Sequence, residues 1–494
     1  FSATFAGYGV NVYQQNDLEK PILQTAFDVA ESPRKLLRYG FLSDFTEKDR
    51  DNGALEWLLK CHINLIQFYD WSYRHDSLVA PQEDYHDMMG KEISGSTVKA
   101  KIAKAKALGM HPTAYGAVYA ASKPFFEKHP TWAFYNSCQE PFVFIDVFYI
   151  MNIAEGSPWR KHLFEEYQSA ISMMGFSGIH MDTYGFPKTA YSHLDAIPKK
   201  IKLEDELPTL IDETRENVHG EEEPYLIFNN VGAWPVQRTA DRKQDAVYIE
   251  VWPPYDRYAS IAQLIRDART YAKDDKSIIL AAYLKPFREG KREKALPAAK
   301  LLMGSIVSNG ATHLLTGENQ TALTQGYYSD YTKFSDSEAE AIRRYYDYMI
   351  WYENLFFDPE LQDVTMTHTG WDNYEYQCTS HKVSSYGEAG KIWMILREKD
   401  YRKCIYLLNL CGQSEDYWNE GKEEPNIQKD IKFTVQVDTP VEKICFSTPD
   451  GENMDAIELS FTERATKTGK FIDFTVPSLN YWTTIWIDTR KETI

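Results

Sequence analysis

The sequence predicts an α/β protein: a (β/α)8 TIM barrel, a C-terminal all-β sandwich and the remnant of an N-terminal β-domain. Three observations carry this expectation. Short apolar runs alternate with amphipathic stretches from residue 38 to about 358. Two of the apolar runs end on a carboxylate. Past about 365 the helical stretches stop and only short strand-like runs with turns remain.

Taken in order, residues 5–13 and 22–29 read as a hairpin with a polar turn over 14–20. A lone hairpin is marginal in water, so 1–29 is expected to be the last piece of a β-domain or a hairpin packed on the barrel. Phe1 is not an initiator, so the numbering is expected to start inside a processed or trimmed chain. Over 30–358, candidate strands lie at 39–45, 63–71, 111–119, 178–182, 225–230, 246–252, 278–283 and 312–317, with helical stretches at 97–108, 159–174, 261–271 and 295–307 between them. Short apolar strands bounded by Gly, Pro and Asn suit parallel strands buried on both faces. A doubly wound open sheet is the competing architecture, but no GxGxxG and no P-loop stands after an early strand. A helix at 335–357 is placed to close the barrel. The remaining 359–494 carries strand patterns at 391–397, 403–410, 431–437, 456–461, 471–476 and 481–487, which read as a sandwich.

Composition narrows the function. With 494 residues the chain has room for a barrel and an accessory domain. Its net charge of −18 argues against nucleic-acid and anionic-membrane partners. No apolar run approaches the ~20 residues of a membrane helix. The six cysteines contain no CxxC pair, so neither a zinc site nor a dense disulfide framework is indicated. No metal cluster or cofactor motif is found. Aromatics reach 14%, a supply of flat apolar faces on which sugar rings can stack.

Two strands organise the chemistry. Gly178-Ile-His-Met-Asp-Thr-Tyr-Gly185 ends on Asp182, with Gly178, His180 and Asp182 on one face and Ile179 and Met181 on the other. Asp245-Ala-Val-Tyr-Ile-Glu-Val-Trp-Pro-Pro254 repeats the pattern, with Tyr248, Glu250 and Trp252 sharing a face and the prolines stopping the strand. A carboxylate at the C-terminal tip of each of two barrel strands is the minimum equipment for glycoside hydrolysis.

The run Thr25-Ala-Phe-Asp-Val29, Arg38-Tyr-Gly-Phe-Leu-Ser-Asp-Phe45, Gln67-Phe-Tyr-Asp-Trp-Ser-Tyr-Arg-His75, the two acid-bearing strands and Val476-Pro-Ser-Leu-Asn-Tyr-Trp482, in that order, resembles glycoside hydrolase family 66. This is the family of endo-dextranases and cycloisomaltooligosaccharide glucanotransferases. The resemblance implies an immunoglobulin-like N-domain, a catalytic barrel and a C-terminal sandwich. It also implies cleavage of α-1,6-linked glucan (dextran or isomalto-oligosaccharides) with retention, with Asp182 as nucleophile, ionised at rest, and Glu250 as acid/base. The sequence is expected to lack nearly all of the family's N-domain. It also lacks the carbohydrate-binding module that interrupts the barrel of the cyclising transferases, and this favours a plain hydrolase. A monomer acting outside the cell or in its envelope is expected.

Other rim residues complete the expected site. Asp70 is expected to bind sugar hydroxyls and Trp71 to stack on a ring. Arg74 and His75 are read either as site residues or as an ion pair with a nearby acid. Tyr115, Tyr119, Tyr255 and Tyr283 stand at rim positions, and Trp252 lies beside the acid. The Asn229–Asn230 pair has hydroxyl-binding geometry. Glu318 is read as orienting substrate or as a solvated strand end, and His180 as a site residue or as an interior histidine. The aromatic connection 122–157 is either a cleft wall or an insertion with its own core. Competing readings are a transglycosylase, a non-catalytic α-glucan-binding protein and an unrelated barrel hydrolase such as an α-galactosidase.

Overall fold

The structure, a computed structural model, describes residues 5–50, 53–370 and 372–490; the outermost residues of the 1–29 and 359–494 expectations lie outside this range. Seven parallel strands lie side by side in the order Tyr39–Leu42, Leu65–Phe68, His111–Ala117, Gly178–Asp182, Tyr225–Val231, Ala246–Glu250 and Ser277–Ala281. The segment 312–317 touches both ends of this row. Thr312–His313 pairs with Ile279 and Leu280, and Gly317 pairs with Phe41. The sheet is therefore curled, in a mixed α/β arrangement. Five of its strands are buried from end to end, and the other two all but His111 and Val231, because helices cover one face and side chains from neighbouring strands fill the other.

The covering helices include Gly95–Ala107, Pro158–Ser169, Leu203–Asn217, Tyr258–Ala272, Ala295–Ser308 and Asp336–Trp351. Ala295–Ser308 is apolar nearly all round because it is covered twice, by the curled sheet and by the C-terminal sheets. Gly304 permits the second contact, since a Cβ there would stand 2.7 Å from Leu408 and 3.1 Å from Trp482. Asp336–Trp351 starts at a Ser335–Glu338 capping box.

The first hairpin, Ala6–Gln14 with Asp17–Val29, turns more tightly than the polar run 14–20 suggests. It lies flat on Asp336–Trp351. A Cβ on Gly7 would fall 1.7 Å from the Ile350 carbonyl oxygen, and one on Gly9 would fall 1.7 Å from the Trp351 ring. Beyond Phe356 two sheets, antiparallel except where Val383–Ser384 runs parallel to Ile392–Lys399, share a core of alternating apolar residues, among them Ile392, Met394, Leu396, Phe433, Val435, Phe474 and Ile485. The strand expected at 456–461 is divided into Ile457–Glu458 and Phe461–Thr466, which belong to different sheets. All six cysteines are free. Among the described residues, no helix is long and apolar enough to cross a membrane, and no group of three or more metal-ligating side chains occurs.

Candidate active site

The C-terminal ends of the parallel strands open on a cleft of about 620 Å³. Asp182 and Glu250 face each other across it, separated by the Tyr225–Val231 strand. That strand supplies the link between them. The Asn229 amide Nδ2 donates to Asp182 Oδ1 at 2.7 Å and to Glu250 Oε2 at 2.9 Å. The two acceptor oxygens therefore lie no further apart than those bonds laid end to end, 5.6 Å. The Tyr115 hydroxyl donates to Asp182 Oδ2 at 2.7 Å, and the Tyr283 hydroxyl donates to Glu250 Oε1 at 2.6 Å.

These carboxyls are 7% and 9% exposed and none of their hydrogen-bond partners is a cation. Burial, reinforced by the charge of Glu250, pushes Asp182 up to about 7, against the opposing hydrogen bonds from Tyr115 and Asn229. Burial also raises Glu250, opposed by Tyr283, Asn229 and Trp252. Both charged forms are disfavoured in this dry site, so Asp182, expected to be ionised at rest, stands where its proton is held more tightly than in water. Asp70 lines the same cleft and is raised to about 8 by burial and by the charge of Asp87.

The structure gathers Asp70, Tyr115, His180, Asn229, Trp252 and Tyr283 around the two acids. His180 forms part of the floor, with Nδ1 2.9 Å from the Tyr39 hydroxyl, and burial lowers it to about 3, so its ring is neutral. Trp252 is 41% exposed and stands at the rim. Tyr119 is buried, and its hydroxyl donates to the Phe186 carbonyl at 2.8 Å.

Four expected residues lie elsewhere. Asp70 takes a left-handed backbone with φ 48°, and this turns Trp71 inward. Its indole donates to the Tyr115 carbonyl at 3.1 Å and its rings pack on Phe176. Asn230 comes directly after Asn229 and so faces the opposite side of the strand. Its amide donates to the Tyr248 carbonyl at 2.9 Å, and its carbonyl accepts from the Thr239 hydroxyl at 2.6 Å. Tyr255 lies beyond the rim, where its carbonyl accepts from the Trp418 indole at 2.7 Å. Glu318 is buried because the chain reverses through left-handed Asn319 and Gln320. One of its oxygens accepts from the Ser43 and Asp44 amides at 2.9 and 2.8 Å, and the other pairs with the buried Lys101 ammonium.

Among the described residues Arg74 makes no ion pair; it donates to the carbonyls of Tyr73 and His86. His75 lines the cleft instead, with Nδ1 buried and unpartnered, and burial lowers it to about 4. The connection 122–157 does two jobs. Phe144, Ile145 and Phe148 wall the cleft, while Phe125 packs on Trp132 and on Trp159 of the helix Pro158–Ser169. Sequence reasoning missed Tyr69, Tyr184, Gly326, Tyr327 and Tyr328, all lining residues. Tyr69 stacks on Tyr328 at 4.5 Å. The Gly326-Tyr-Tyr328 run just past the strand Thr321–Ala322 was the available signal for three of them.

A larger cavity of about 840 Å³ opens at the opposite strand ends. Its guanidiniums are spoken for: Arg269 donates to the Lys276 and Gly310 carbonyls, Arg397 to that of Leu361, and Arg34 pairs with Asp245. In the cleft, Gln67, His75, Tyr184 and Asn229 each carry a buried polar atom with no hydrogen-bond partner among the described residues.

Comparison with known proteins agrees with this arrangement. The family model described as glycosyl hydrolase family 66 matches residues 2–486. Two cycloisomaltooligosaccharide glucanotransferases of Niallia circulans are 22% and 20% identical over 94% of this chain. The chain spans 62% and 63% of the length of these curated relatives. A crystal structure of a Paenibacillus sp. cycloisomaltooligosaccharide glucanotransferase complexed with cycloisomaltoheptaose has the same fold, with a TM-score of 0.83 at 18% identity, covering 94% of this chain and 86% of that one. A maltogenic α-amylase from Thermotoga neapolitana is a more distant likeness, with a TM-score of 0.56 at 10% identity over 93% and 99% of the two chains.

Proposed function

The chain belongs to glycosyl hydrolase family 66, and from that premise we propose that it is an endo-acting, retaining enzyme that cleaves α-1,6-glucosidic linkages of a dextran-type glucan. The α-1,6 linkage is suggested by the isomalto-oligosaccharide names of the similar glucanotransferases. In this reading the curled sheet is the (β/α)8 barrel of residues 30–358, with a sandwich over 359–494. A polymeric substrate of this kind supports a proposed site of action outside the cell or at its envelope.

The observation that carries the mechanism is the Asn229 amide bound to both acids. It keeps the nearest oxygens of Asp182 and Glu250 within 5.6 Å. Retaining enzymes set their carboxyls ~5–5.5 Å apart, whereas inverting enzymes need ~6.5–9.5 Å to admit a water molecule. Asp182 attacks the anomeric carbon. The bond from that carbon to the O6 of the leaving chain breaks as Glu250 gives O6 its proton. With the charge of Asp182 consumed in the ester, Glu250 becomes more acidic and takes a proton from the incoming hydroxyl, whose oxygen displaces Asp182. The Tyr115 and Asn229 donors hold Asp182 in line for both steps.

Transfer to a sugar hydroxyl is the second reading. It is favoured by the names of the relatives and by the exposed Trp252 ring beside Glu250, a platform for an acceptor sugar. A time course on α-1,6-glucan that resolves linear from cyclic products tests both, with Asp182→Asn as control. Linear isomalto-oligosaccharides released first as the α-anomer, and absent with the variant, support the hydrolase. Cyclic products move the protein to the transferase reading, and a β-anomer overturns the double displacement.

A further inference from the structure

Glu250 is held on one side by Asn229 and Tyr283. Another side is covered by backbone. The loop 323–331 joins the paired strands Thr321–Ala322 and Thr332–Lys333, and its Gly326 lies against the acid. A Cβ on Gly326 would stand 3.4 Å from Glu250 Oε1 and 3.3 Å from the Trp252 ring. Gly326 is not one of the left-handed glycines. Its missing side chain therefore answers to the space beside Glu250 and not to backbone conformation.

Two sets of contacts fix this loop. On the cleft side the Tyr69 ring stacks on that of Tyr328 at 4.5 Å, and the Tyr69 hydroxyl donates to the Gly326 carbonyl at 3.4 Å. The Tyr328 hydroxyl lies 2.8 Å from that of Tyr248. On the far side Lys91 reaches in from the turn of the hairpin Asp84–His86 with Glu92–Ser94. Its ammonium donates to the Ser329 hydroxyl at 2.9 Å and to the Ser43 carbonyl, with Asp44 Oδ1 at 3.7 Å. The Tyr331 hydroxyl donates to the other Asp44 oxygen at 2.6 Å. The Lys91 backbone is itself anchored, its amide donating to Asp87 Oδ1 at 2.7 Å.

One ammonium thus joins three segments that are distant in the chain. An exposed ion pair would contribute little, but here the acceptors include a hydroxyl and a main-chain carbonyl, which fix position as well as charge. Lys91 is not among the residues that line the cleft. What it holds is the loop that does.

A general acid works only while its proton is aimed at the leaving oxygen, and a misplacement of about 1 Å can cost ~10²-fold in rate. Water let in beside the carboxyl would also stabilise its charged form and undo the burial that raises it. Neutral backbone packed on the acid excludes water without pinning its charge state.

We propose that the loop 323–331 is a positioning strap that keeps water from Glu250 and fixes its aim, and that Lys91 is the positioning residue that sets the strap from its far side. The proposal rests on the reading of Glu250 as the acid/base group.

The test uses Lys91→Met and Gly326→Ala with two aryl substrates of similar shape. Phenyl α-isomaltoside has a basic leaving oxygen that needs a proton. Chloronitrophenyl α-isomaltoside has one that departs as the anion. The ratio of their kcat/KM values, phenyl over chloronitrophenyl, is expected to fall about tenfold in each variant, in the same direction as in Glu250→Gln. This ratio does not depend on the fraction of protein folded, so a less stable variant still reads. The Lys91 charge also lowers Asp70 and Asp87. Gly326→Ala leaves that charge in place, so a fall shared by both variants belongs to the strap. A fall in Lys91→Met alone assigns the effect to charge and overturns the strap, and a fall in Gly326→Ala alone overturns the role of Lys91. An unchanged ratio in both, with Glu250→Gln selective, overturns the whole proposal and leaves Glu250 as the acid. A Glu250→Gln protein that slows equally on both substrates, or an unsubstituted protein that cleaves neither, overturns the functional reading and the strap with it.

Discussion

Glu250 and Glu318 stand at or just past the ends of strands in the same curled sheet, both are buried, and burial pushes both carboxyls up. They differ in what answers them. Glu318 meets the Lys101 ammonium and the amides of Ser43 and Asp44, with no face on the cleft. Glu250 meets only neutral donors, Asn229 and Tyr283, and opens on the cleft. A fixed cation pins a carboxylate in one charge state and makes it structural. Neutral hydroxyl and amide donors leave it free to lose and regain a proton, which an acid/base group must do twice per turnover.

Exchanging the charge at each site breaks the comparison most directly. Glu250→Gln is expected to lower the rate about 10²–10⁴-fold and to leave the Tm unchanged or higher, because it removes one of two crowded carboxyls. Glu318→Gln is expected to do the reverse. It strands the buried Lys101, at a cost of about 3–5 kcal/mol, while the rate per folded molecule stays the same. Lys101→Met should copy that loss from the other side. Thermal melts beside active-site titration separate the two effects. A Glu318→Gln protein that melts normally but turns over slowly would make Glu318 a site residue.

The sequence carried part of this distinction. Period-two alternation placed Asp182 and Glu250 on the cleft side of strands that end on turn residues, and the same rule separates Asn229 from Asn230. Where the chain leaves the strand, alternation loses its meaning. The left-handed residue at Asp70 sends Trp71 into the core, and left-handed Asn319 and Gln320 fold Glu318 under the rim. Positive φ at a non-glycine residue leaves almost no trace in the sequence. Tyr69, Tyr184 and Tyr328 went unrecognised for a related reason: their rings are set by contacts between loops distant in the chain, such as the Tyr69–Tyr328 stack. The partner of Glu318, Lys101, is 217 residues away, and no local pattern announces it.

Tyr283→Phe sharpens the role of the neutral donors. The Tyr283 hydroxyl holds Glu250 down against burial, so its removal raises the Glu250 pKa. A hydrogen bond to a charged group contributes about 1.5–3 kcal/mol, so the alkaline limb of the pH–rate profile is expected to move up by about one to two units. The same change in Tyr248, whose hydroxyl bonds Tyr328 and not the acid, should leave that limb in place. A limb that does not move with Tyr283→Phe would assign it to another group.

The smallest effect concerns stability, and it links the cleft to a carboxyl remote from it. Burial raises Asp182 to about 7, and Asp70 and Glu353 to about 8. Glu353 lies under the first hairpin, where both its oxygens are buried and unpartnered. A carboxyl raised in the folded state binds its proton more tightly there than in the unfolded chain. Its contribution is therefore complete below the unfolded value of about 4 and is lost as pH rises through the folded value. The Tm is expected to fall between pH 5 and pH 8 as these three groups ionise. Glu353→Gln should flatten that slope without touching the rate, because its burial is structural. Asp70→Asn should flatten the slope and slow turnover together, because its carboxyl lines the cleft that holds Asp182 and Glu250. A slope unchanged by both would mean that the protons taken up on folding reside on other groups, and that the cleft carboxyls are already solvated in the free enzyme.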